Sequence, residues 1–217
     1  MAWQKIEPLV LLALAAIALA VSGIGPTDRL TWVLEVSPVL IGAPVLAASY
    51  RVFPLTPLLY RLLLLHALIL ILGGHYTYAQ VPLGFWLQDL MELSRNPYDR
   101  IGHFAQGFVP AILTREILLR RSPLSPGKWL FFLVAAVCLA FSAFYEMIEW
   151  WAAALGGAEA EHFLGTQGDQ WDTQWDMFIA LIGAVAAQLL FASSHDRALA
   201  ALTKAGLGTP GSVRWRP

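Results

Sequence analysis

Three pairs of ionisable residues in this sequence have helical spacing. Asp99 and His103 are four apart, Glu146 and Glu149 three apart, and Asp172 and Asp176 four apart. Residues three or four apart on an α-helix share a face, so each pair would aim its side chains in one direction. An imidazole among such carboxylates supports two kinds of chemistry. It is a ligand set for a divalent cation such as zinc, manganese or iron. It is equally an acid–base set, because crowded carboxylates drive one another's pKa values apart. His103, Glu146, Glu149, Asp172 and Asp176 are therefore the candidate catalytic residues. The same five are the candidate metal ligands, with His75 a weaker sixth. Structural alternatives stand beside these. His103 can pair with Asp99 or donate to a carbonyl. Asp172 and Asp176 can simply complement a helix N-terminus. Glu146 and Glu149 lie near a helix C-terminus, where negative charge is unfavourable. They need a partner: Arg100, His103 or a metal.

The elements that must position these residues follow from composition. Of 217 residues, 58% are hydrophobic and 13% charged, against about 25% charged in a soluble domain. A water-soluble surface cannot be covered with so few charges. The net charge of −1 gives no support to a nucleic-acid partner. The lone cysteine, Cys138, excludes an intrachain disulfide and reads as a small core residue. A crossing helix needs about 20 mainly apolar residues, and six segments approach that: about Pro8–Gly25, Leu30–Tyr50 (with Glu35 near its start), Pro57–Gly73, Ile101–Leu119, Trp129–Trp151 and Trp175–Phe191. The expected fold is all-α, a polytopic transmembrane bundle of about six spans. Residues 1–195 form the transmembrane domain and 196–217 a cytoplasmic tail. The first segment resembles a signal peptide, with Lys5 before it and Ala18-Leu19-Ala20 within it. Its apolar run is long for one, and an uncleaved helix is the preferred reading.

Lys and Arg set the orientation. With both termini in the cytoplasm, only Arg29, Arg95 and Arg100 of the 14 basic residues lie outside. The loop from Ala152 to Gln174 has no Lys or Arg and four acids, and is placed outside. Trp86, Trp150, Trp151, Trp171 and Trp175 flank the external ends as an interfacial belt would. Every candidate site residue then falls on the external side, although none of them was used to set the topology. The segment Val81–Asn96 is too short to span. Its apolar residues alternate with Gln88, Asp89 and Glu92, so it reads as an external interfacial helix.

The remaining histidines read differently. His66 lies mid-span, where it is either functional or a satisfied core residue. His162 reads as a solvated loop residue and His195 as a juxtamembrane tail residue. Gly73-Gly74 reads as a helix end. P-loop, nucleophile-elbow and HExxH motifs are all missing from the sequence.

Several longer motifs resemble a known family. They are Gly74-His75-Tyr76-Thr77-Tyr78, Val81-Pro82-Leu83-Gly84, Asn96-Pro97-Tyr98-Asp99-Arg100-Ile101-Gly102-His103-Phe104, Tyr145-Glu146-Met147-Ile148-Glu149-Trp150, and the run from Gly168 to Asp176. They resemble the uncharacterised bacterial family typified by the inner membrane protein YjdF. That resemblance implies a multi-pass protein of the bacterial inner membrane and brings no established activity with it. A more distant resemblance is to VanZ-like membrane proteins, whose namesake is linked to teicoplanin resistance. Asp99, Arg100 and His103 match the opening of that pattern, Glu146 its acidic residue, and Asp176 and Gly183 its close. Ala180 stands where Asn is usual, and Glu149 where Gln is frequent. The likeness implies a shared polar geometry, without a resistance role.

Two functions are consistent with these residues. One is a membrane enzyme modifying lipid, lipid-linked or envelope material at the outer leaflet, with a divalent metal ion as a candidate cofactor. The other is a non-catalytic membrane protein whose polar cluster holds helices together or binds a ligand. A transporter fits less well, since paired broken helices are not evident. Lipids are the expected partners, and the sequence sets no oligomeric state.

Overall fold

The computed structural model describes residues 2–156 and 166–207. All regular structure among them is helical. The elements are α1 (Ala2–Ser22), α2 (Arg29–Ser49), α3 (Pro57–Tyr76), a 3₁₀ turn (Tyr78–Gln80), α4 (Pro82–Leu90), α5 (Tyr98–Arg121), α6 (Lys128–Gly156) and α7 (Asp172–Lys204). His162 and the expected tail beyond residue 207 lie outside the described residues.

Local chemistry sets several helix starts. Asp28 caps α2 by accepting from the Thr31 amide at 2.7 Å. Thr56 caps α3, with Pro57 at its first position, where the missing N–H costs nothing. Pro82 opens α4 in the same way. Asp99 and Asp172 lie in the first turns of α5 and α7, and basic residues close both helices, as the macrodipole favours.

Four described helices, α2, α3, α6 and α7, are long and apolar enough to cross a membrane. In α1 the apolar stretch is Ile6–Ser22. α5 is long enough, its 24 residues giving roughly 36 Å at 1.5 Å per residue, but it is far more polar. Its position explains why. α5 packs against α3, α6 and α7, and its buried residues include Asp99, His103, Arg115, Glu116 and Arg120. Its charges are turned inward, and its neighbours present the apolar face. Leu9, Ile17, Phe132, Phe141, Leu189 and Leu190 are all more than half exposed, as suits residues in contact with lipid rather than water.

The tightest crossing is between α5 and α7. A Cβ on Gly107 would overlap the Ala180 carbonyl, and one on Gly183 would overlap the Phe104 carbonyl. Small residues let two backbones touch. On α5 the seam runs Asp99, His103, Gly107, Ala111, Arg115, each four residues from the last. On α7 it runs Asp172, Asp176, Ala180, Ala184, Gln188. All ten are buried. Polar groups therefore gather at both ends of one seam, and close-packed small side chains fill its middle.

Two elements differ from the sequence expectation. α7 continues past Ser193 to Lys204, with Leu199 and Leu202 buried. His195 is not a tail residue; it is fully buried, held by charged groups on α5. The expected interfacial helix is shorter, ending at Leu90. Glu92 turns the chain with φ of 52°, and Asn96 folds back to donate to the Val81 carbonyl at 3.1 Å. Leu83, Phe85, Trp86 and Leu90 on α4 are exposed.

Candidate functional site

His103 lies one turn into α5 and is 6% exposed. Its Nε2 is 3.5 Å from Asp99 Oδ1 and 3.8 Å from Asp176 Oδ2. Its Nδ1 is 3.7 Å from Glu146 Oε1 and 3.0 Å from Gln106 Oε1. The side chains come from three helices: Asp99 and His103 from α5, Glu146 and Glu149 from α6, and Asp176 from α7. The spacing rule holds in each, because both members of every pair are buried on the inner face.

The carboxylates divide into two classes by their partners. Arg95 donates to Asp172 at 2.7 Å and to Asp99 at 3.4 Å. Arg100 donates to Asp176 at 2.9 Å, Asp172 at 3.0 Å and Asp169 at 3.1 Å. Two guanidinium groups thus hold the four aspartates Asp99, Asp169, Asp172 and Asp176 in charge-assisted hydrogen bonds. Glu146 and Glu149 have no Lys or Arg within ion-pair distance among the described residues, and Glu146 Oε1 is buried without a hydrogen-bond partner. Among the described residues, two groups of three bring ligand atoms within 4.8 Å of one another: Asp99, His103 and Asp176, and His103, Glu146 and Glu149.

The other candidates stand differently. Asp172 belongs to the Arg95–Arg100 network and to neither group of three. His75 lies apart, its Nδ1 donating to the Ser22 carbonyl at 2.8 Å, which ties the end of α3 to the end of α1. His66 has its Nε2 buried without a hydrogen-bond partner, beside an apolar groove between α1, α2 and α3.

Sequence reasoning passed over several residues that the structure adds. Arg95 appeared there only as an external charge, yet it bridges two helices and also donates to the Thr166 carbonyl at 3.0 Å. Asn96 and Gln167 exchange hydrogen bonds at 3.1 and 3.0 Å, holding the segment before α7 against α5. Glu35 on α2 is 5% exposed and accepts from the Tyr145 hydroxyl at 3.2 Å, so a fourth helix reaches the acidic region. Tyr78, in the turn outside the spans, is wedged between Gly73 and Gly102. Burial pushes its phenol well above the ordinary value, with the nearby Glu35 carboxylate adding to the effect. The one available signal for Glu35 was its charge inside an apolar segment.

A second buried cluster lies at the other end of the seam. Glu116 accepts from the Thr56 amide at 3.1 Å, the Thr56 hydroxyl at 2.8 Å, Arg120 at 2.7 Å and His195 Nε2 at 3.0 Å. Arg115 donates to His195 Nδ1 at 2.9 Å and pairs with Asp196 at 2.6 Å. Because Nδ1 accepts from a guanidinium, the proton of His195 sits on Nε2 and is donated to Glu116.

A family model described as predicted membrane protein (DUF2238) matches residues 7–197. The chain belongs to this family. It is 53% identical over 199 residues to the inner membrane protein YjdF of Escherichia coli (strain K12), covering 90% of this chain and 95% of that relative. No solved structure matches it. It is an integral membrane protein of the YjdF family, with apolar spanning helices and a polar cluster of His, Asp and Glu at one end of its bundle.

Proposed function

We propose that the His103 cluster is the active site of an enzyme acting at the outer leaflet of the inner membrane, on a lipid or lipid-linked headgroup. The observation that carries this reading is His103 itself, a buried imidazole with carboxylates from three helices within 4 Å. In this reading Asp99 orients the ring through Nε2, and the side of the ring that carries Nδ1 and Glu146 meets the reacting group. The Lys/Arg asymmetry supports placing this end outside and both termini in the cytoplasm. Exposed Trp86, Trp150, Trp171 and Trp175 support placing it at headgroup depth. A phosphatase fused to the C-terminus should then be inactive and a fluorescent reporter active.

The test of activity compares lipids and lipid-linked intermediates in membranes overproducing the wild type and His103→Ala. A species converted only by the wild type supports the enzyme. Identical profiles favour the second reading, a non-catalytic cluster that joins helices. That alternative has its own support in the Arg95 and Arg100 bridges, which already tie α5 to α7.

A further inference from the structure

We infer that His103, Glu146 and Glu149 hold one divalent cation, and that Asp99 and Asp176 are positioning residues behind the imidazole. The inference deepens the proposed function and rests on the same site. Both groups of three share His103, so proximity alone does not choose between them. Charge does. Asp99 and Asp176 already face Arg95 at 3.4 Å and Arg100 at 2.9 Å, and a cation there would meet two guanidinium groups. Glu146 and Glu149 are buried to 6% and 8% exposure without such a partner among the described residues. Two carboxylates and a neutral imidazole carry a charge of −2, which a divalent ion cancels. Burying carboxylates without a counter-charge is costly in a membrane protein.

A second observation points the same way. Glu146 Oε1 is fully enclosed, lacks a hydrogen-bond partner and lies 3.7 Å from His103 Nδ1. Ligand atoms within 4.8 Å of one another need only small side-chain movements to meet a common ion at about 2.0–2.4 Å. Gln106 now stands at 3.0 Å from the same nitrogen and turns aside when the ion binds. Behind the ring, Nε2 faces Asp99 and Asp176, the carboxylate–histidine–metal arrangement that fixes the tautomer of a ligating imidazole. One nitrogen and two carboxylate donors suit a first-row ion such as Mn²⁺ or Zn²⁺. Three protein ligands leave a coordination position for water or substrate.

The test uses the full-length protein in detergent, stripped with chelator and titrated with Mn²⁺ and Zn²⁺ separately. Calorimetry and elemental analysis read the stoichiometry, and melting temperature reads stabilisation by the ion. One equivalent per chain is expected, with a raised melting temperature. Glu149→Gln, which keeps the side-chain shape, should abolish both effects, and so should His103→Ala. Asp99→Asn should retain the site with about ten- to hundredfold weaker affinity. The chelator-treated melting curve of Glu149→Gln confirms that this variant is folded. A wild type that takes up neither metal overturns the inference. So does a metal retained in Glu149→Gln but lost in Asp176→Asn, which would put the ion in the other group. Metal binding in a protein that converts no lipid keeps this inference and removes the enzyme reading. Lipid conversion by a metal-free protein does the reverse.

Discussion

The two ends of the α5–α7 seam carry similar residues in opposite states of completion. At the His195 end, Glu116 is matched to Arg120, His195 and Thr56, and Arg115 to Asp196. Charges cancel, and the one imidazole is fixed in a single tautomer. At the His103 end, two arginines hydrogen-bond the aspartates while Glu146 and Glu149 are left without a guanidinium partner among the described residues. The first arrangement is what helix joining requires, since breaking a matched buried pair is expensive. The second keeps acidic groups buried without that compensation, as sites of chemistry do at some expense of stability. The small residues between them, Gly107, Ala111, Ala180 and Ala184, give no polar route from one end to the other.

Substitutions at the two ends should therefore differ in size and in sign. The largest effect is expected for Glu116→Gln, which uncovers Arg120 and breaks the bond to His195. Unfolding in detergent should show a loss of about 3–5 kcal/mol. A loss below about 1 kcal/mol would mean that this cluster does not join the helices.

Gly107→Ala should come next. It drives a methyl group into the Ala180 carbonyl and must part α5 from α7, costing about 1–3 kcal/mol as overpacking does. Because both ends hang on this crossing, its melting temperature should fall with and without added metal. A neutral result would show that the crossing is looser than Gly107 implies.

Coupling across the His103 end should be smaller. His103→Ala and Glu149→Ala remove members of one site, so the double variant should lose less than the sum of the singles, by about 0.5–3 kcal/mol. Strict additivity in thermal unfolding would separate the two residues.

The smallest effect carries the sign that matters most. In chelator, Glu149→Gln replaces a buried carboxyl group that has no Lys or Arg partner among the described residues, and should leave stability unchanged or raise it by up to about 1 kcal/mol. The same Glu→Gln change at position 116 is strongly destabilising. Equal losses at both positions would erase the distinction between the ends.

The His103 end was legible in the sequence for a physical reason. Its residues come as pairs at three- and four-residue spacing beside apolar segments, and helical periodicity puts each pair on one face whatever else the fold does. The His195 end was not legible. Thr56, Glu116 and His195 are separated by 60 and 79 residues, and nothing in their spacing links them. His195 looked like a tail residue because polarity rises after Ser193, yet Ser194, His195 and Asp196 continue a helix without difficulty when another helix supplies their partners. Glu35 and Arg95 were missed as site neighbours for the same cause, since their contacts lie on other elements.

By itself the sequence determined the membrane character of this protein, the approximate place of its helices apart from the last third of α7, and the face on which the paired charges lie. These properties depend on hydropathy and on a 3.6-residue period, both local. Only the tertiary structure decided which charges meet. Gly107 and Gly183 allow the backbones of α5 and α7 to touch, and that contact sets their register. The register delivers Asp176 to His103 and His195 to Glu116. It leaves Glu146 and Glu149, carried on α6, facing an imidazole with no arginine beside them among the described residues.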